Sequence, residues 1–96
     1  MGVSLIRQPR PPGQPADGTR LLVHLCALHG QSLRRRAETA SPLQAERALT
    51  EYGAAAALEQ AAQHWADGDI RAARAWMAAA ENALSAALLP VPWRQQ

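Results

Sequence analysis

Apolar positions recur at helical spacing in three blocks of this chain, separated by two short polar breaks. In the first block, Leu21, Leu22, Leu25, Cys26, Leu28 and Leu33 follow one another at the three- and four-residue steps that gather side chains on one face of an α-helix. The spacing predicts a helix from Thr19, which suits an N-cap, to about Glu38, with those residues as its buried stripe. Gly30 interrupts it and costs roughly 1 kcal/mol relative to alanine, which predicts a bend or an early end there. Arg34, Arg35 and Arg36 occupy the last turns, where cations complement the macrodipole.

Ser41-Pro42-Leu43-Gln44 then reads as a helix start. Ser41 caps, Pro42 suits the first helical position, and Gln44 completes a capping box. A second helix follows from Pro42 to about Ala66. Its apolar side is Ala45, Ala48, Leu49, Tyr52, Ala55, Ala56, Leu58, Ala62 and Trp65, with Gly53 as the expected point of close approach. Asp67-Gly68-Asp69 forms the next break: Gly68 takes the left-handed conformation and Asp69 caps a third helix. That helix is expected from Ile70 to Leu89, with Ile70, Ala73, Met77, Ala80, Leu84 and Leu88 in one stripe. Pro90 stops it, and the prolines around Trp93 predict an extended tail that Trp93 anchors against a helix or a partner.

The fold expected is all-α: a three-helix domain over residues 19–89, built on an antiparallel helical hairpin. A flexible arm over residues 1–18 precedes it and an extended tail over 90–96 follows. The arm holds Pro9, Pro11, Pro12 and Pro15, and its one apolar cluster is Val3, Leu5 and Ile6. That is too little apolar surface to offset its ordering entropy.

Composition sharpens this picture. Hydrophobic residues make up 48% of the chain, yet phenylalanine is absent and the large aromatics are three Trp and one Tyr. Alanine supplies much of the rest; it forms helices well but buries little area. A small domain with so thin a core gains from a partner or a second copy. The net charge of +2 is too small to require a nucleic-acid partner. The single cysteine, Cys26, excludes an intramolecular disulfide and fits a reducing compartment. Val3–Ile6 is too short for a secretory h-region, and the Leu21–Leu28 run, broken by His24, is too short to span a bilayer. A cytoplasmic location and no membrane partner are expected.

At the Asp67-Gly68-Asp69 turn the chain resembles a tetratricopeptide repeat. Gly68, Asp69, Ala73, Met77 and Ala80, with Ala61 in the preceding helix, match the motif's alternation of small and bulky positions. The resemblance implies two antiparallel helices in close contact and a protein-binding role. Ala57 stands where the motif has Trp, Ser85 stands where it has proline, and there is one such unit. A second resemblance covers the last thirty or so residues. Ala72, Ala73, Trp76 and Ala79, followed by Trp93 and Arg94, are similar to the core of small bacterial negative regulators of AraC-type transcription factors. It implies a regulator that sequesters such a factor. Gly68 and Ile70 depart from that pattern.

Candidate chemistry is sparse. His24, Cys26 and His29 suggest a metal, but His24 points about 160° from Cys26 on a helix and no second ligand pair exists. No nucleophile with an orienting base, phosphate loop or dinucleotide fingerprint is present. No catalytic, metal-binding or cofactor-binding residue is assigned, and the chain is read as a non-enzyme. Trp76, Trp93 and Arg94 are the expected partner-binding residues, since desolvated tryptophan dominates interfaces. The expected partner is another protein or a second copy in a homo-oligomer. The alternative is a transcriptional regulator that contacts DNA through Arg34, Arg35 and Arg36.

Overall fold

The computed structural model describes residues 17–94 as three α-helices and two single 3-10 turns. Helix α1 spans Asp17–Glu38, α2 spans Ala45–Asp67 and α3 spans Ile70–Ala86; the 3-10 turns are Pro42–Gln44 and Pro92–Arg94. The expected arm therefore lies outside the described residues except for Asp17 and Gly18, which belong to α1. Thr19 is inside the helix rather than its cap. The all-α, three-helix architecture is as the sequence predicts.

Helix α2 is central and carries the packing against both α1 and α3. Both neighbours run antiparallel to it. Gly30 of α1 faces Ala55 and Leu58 of α2, and further along α1 Arg36 meets Glu51. On the other side Trp65 of α2 meets Met77 of α3. The interior is mostly alanine: Ala54, Ala55, Ala61, Ala73 and Ala80 are fully buried, with Leu58 and Leu84 as its large members. Small side chains let the backbones approach, as the hairpin spacing predicts for Ala61, Ala73 and Ala80.

The two breaks follow from local hydrogen bonding. Gly68, at φ 82°, ends α2 in the left-handed conformation. The Asp69 N–H donates to the His64 carbonyl at 2.9 Å and the Gly68 N–H to that of Trp65 at 3.2 Å, the paired bonds of a Schellman motif. Asp69 Oδ1 then accepts from the Ala72 N–H at 3.2 Å and caps α3. At the other break, Gln44 Oε1 accepts from the Ser41 N–H at 3.1 Å, as a capping box requires, but Pro42–Gln44 is a 3-10 turn and α2 begins at Ala45.

Several sequence expectations are corrected. Gly30 does not end α1, which continues to Glu38. It is where α1 and α2 touch: a Cβ there would stand 3.4 Å from the Ala55 carbonyl oxygen. Gly53 has open space around it and is not a contact point. Helix α3 stops at Ala86, not Leu89, because Leu88 adopts a positive φ of 60°. The Leu89 N–H then donates to the Leu84 carbonyl at 2.8 Å, a second Schellman closure, and Pro90 disfavours helical geometry at Leu89. The tail is not simply extended, since Pro92–Arg94 makes a turn and Val91 is buried. No helix of the described residues is long and apolar enough to cross a membrane.

Candidate interaction surface

The predicted buried stripe of α1 divides in two. Cys26, Gly30, Leu33 and Ala37 are buried, the last three within about 40° of Cys26 round the helix, and face α2. Leu25, Leu21 and Leu28 lie about 100–160° from Cys26 on the same wheel and are 37%, 58% and 47% exposed. They were expected in the core and are instead on the surface, because α1 has α2 as its main partner while α3 lies on another side of α2. Their i, i+4, i+7 spacing makes a continuous outer stripe. It runs into a shallow groove lined by Leu28, Gln31, Ser32, Arg35, Arg36 and Thr39.

The three consecutive arginines are split by the helical turn. Arg34 makes a bidentate pair with Glu59, with N–O distances of 2.8 and 3.1 Å, and its guanidinium carbon lies 5.9 Å from the Tyr52 ring centre. Arg36 places Nε 3.1 Å from Glu51 Oε2. Arg35 is exposed, and its guanidinium has no ion-pair or hydrogen-bond partner among the described residues. Two of the three are thus held by carboxylates. Glu51 is buried between Arg36 and Arg47, whose Nε is 3.5 Å away. The i, i+4 spacing of Arg47 and Glu51 was the one available signal.

Trp93 and Arg94 come together in the tail. The Trp93 ring tilts against His29 at 5.8 Å between centroids, between Leu22 of α1 and Met77 of α3. Arg94 Nη1 is 3.0 Å from Glu81 Oε2. Trp76 is 38% exposed and lies about 100° round α3 from Met77; it is not among the residues lining the surroundings of Trp93. Trp65, the third tryptophan, is core, with Nε1 donating to Met77 Sδ at 3.4 Å.

Burial pushes the Cys26 thiol above its ordinary value of 9.0, so it stays protonated near neutral pH and is a poor nucleophile. The described residues contain no group of three His, Cys, Asp or Glu side chains placed to hold a metal ion. Compared with known proteins, the chain matches no family model, no curated protein and no solved structure. Its functional reading therefore rests on the exposed face of α1 and the residues around it.

Proposed function

We propose that this chain is a non-enzymatic interaction module that receives a helix of a partner protein along the outer face of α1. The observation that carries this reading is the stripe of Leu21, Leu25 and Leu28, exposed at helical spacing and continued by Arg35, whose guanidinium has no partner among the described residues. Such a face suits an amphipathic helix presenting apolar anchors at i, i+3/i+4 and i+7. A carboxylate at its end would meet Arg35. A small regulator that sequesters a transcription factor would work through the same contact. Direct DNA binding draws less support, because Arg34 and Arg36 already face Glu59 and Glu51, and each carboxylate lessens the field available to phosphate.

The test replaces Leu21 and Leu28 by Lys in the full chain. Affinity capture from a lysate, light scattering and circular dichroism are compared with the parent chain. A partner or a second copy lost from the variant, with helicity retained, supports the reading. Identical captured proteins and identical mass for both chains would sink it. A parallel titration with duplex DNA at low and high salt decides the alternative: salt-sensitive binding abolished by Arg35→Ala would favour DNA contact.

A further inference from the structure

The interior is not filled where α1, α3 and the tail meet. A cavity of about 190 Å³ lies there, walled by Leu22, Leu25 and Cys26 of α1, Leu58 of α2, Met77 of α3 and Trp93, with His29 at its edge. Protein interiors hold few voids larger than a water molecule. An apolar cavity of about 150 Å³ stays dry and takes benzene. This one is larger and opens on one side to solvent, and its lining is mostly apolar, with the Cys26 thiol, the His29 imidazole and the Trp93 indole as its polar side chains, so water there is weakly held and readily displaced by an apolar ring.

The walls are chemically suited to an aromatic ring. The Met77 sulfur favours ring edges, and Trp93 and His29 offer aromatic faces. No Asp, Glu or Arg side chain lines the cavity, which disfavours an ionic ligand. Access lies on one side: Leu25 is 37% exposed and Trp93 is half-buried, while Cys26 and Leu58 close the inner end. Trp93 also belongs to a short tail, held by its ring contact with His29 and by the exposed Arg94–Glu81 pair. It is the wall most readily displaced.

We propose that this cavity is a binding site for a small neutral aromatic molecule, between benzene and indole in size, with Trp93 as its outer wall. The site is separate from the docking face of α1 and shares only Leu25 with it, so either can stand without the other.

The full chain is titrated with benzene, phenol and indole, and the Trp93 indole N–H resonance is followed, assigned by its loss in Trp93→Phe. The result expected is a saturable one-to-one shift. Cys26→Leu fills the cavity and removes that shift while helicity is retained. Trp93→Ala lowers the melting temperature, and added indole restores part of the loss where the charged indole-3-acetate does not. Absence of any saturable shift up to the ligands' solubility, or an equal shift in folded Cys26→Leu, overturns the proposal. Should Cys26→Leu not fold, failure of indole to restore Trp93→Ala overturns it equally.

Discussion

Arg36, near the end of α1, brings its Nε to 3.1 Å from Oε2 of Glu51, a carboxylate on α2 that is only 1% exposed. Arg36 itself is about half in solvent, its side chain 48% exposed, so the desolvation falls mainly on the carboxylate. Arg47, one turn earlier on α2, stands at the other oxygen at 3.5 Å, where neither Arg47 Nε nor Glu51 Oε1 completes a hydrogen bond. Together with the Arg34–Glu59 pair, the pairing ties α1 to α2 in one register, alongside the close approach of Gly30 to Ala55 and Leu58.

That arrangement separates two substitutions. Replacing Arg36 and Arg47 together by Ala strands the buried carboxylate and is expected to cost about 3 kcal/mol or more in urea unfolding. Glu51→Leu removes the buried charge with its need for a partner and should be close to neutral. Equal large losses in both variants would mean that Glu51 serves packing rather than charge.

Gly30 of α1 and Gly53 of α2 should respond differently to enlargement. Gly53→Ala meets open space and is expected to stabilise by about 0.5–1 kcal/mol through helix propensity. At Gly30 a Cβ would stand in contact, 3.4 Å from the Ala55 carbonyl oxygen, so Gly30→Ala should gain less than Gly53→Ala. The larger Gly30→Leu should force α1 from α2 and lower the melting temperature.

Leu88 holds a left-handed φ of 60° while its side chain is 92% exposed. Glycine adopts that conformation without the steric cost of a Cβ, and little packing is lost on removing an exposed side chain. Leu88→Gly is expected to stabilise by about 1 kcal/mol. The mirror experiment at Gly68, with φ 82°, should destabilise: Gly68→Ala loses a similar amount. Chemical denaturation of both variants checks the pair.

Cys26 makes stability depend on alkaline pH. Its thiol is raised in the folded state by burial, so the unfolded chain loses its proton first as pH climbs. The unfolded state then binds fewer protons than the native one, and the free energy of unfolding falls with pH. The effect is absent below the ordinary thiol value of 9.0 and grows as pH rises through it toward the folded-state value. Measured against Cys26→Ala, the parent chain should lose stability more steeply over that range; parallel curves would refute the assignment.

Trp93 shields that thiol as one wall of the cavity beside it. Trp93→Ala should therefore speed the reaction of Cys26 with a thiol reagent, whereas Arg94→Ala, which breaks a surface pair worth under about 1 kcal/mol, should change the rate little. An unchanged rate in Trp93→Ala would place the route to Cys26 elsewhere.

Sequence alone determined the helices and their breaks, because these are local matters. Periodicity marked three helical blocks, and Gly68 with Asp69 specified a turn through φ preference and side-chain capping, which depend on neighbours within a few residues. The inward positions of Ala73, Ala80 and Leu84 were legible for the same reason. Tertiary structure decided which apolar face of α1 is core. Cys26 and Leu21 belong to one apolar run, and only the placement of α2 as the main neighbour sends one inward and leaves the other outside. It also decided that Gly30 rather than Gly53 is the contact point, and that Glu51 is buried while, among the described residues, Arg35 alone of its triplet has no carboxylate partner. Those outcomes depend on what stands across the interface. Alanine spread all round α2 carries no periodic signal that could have said so.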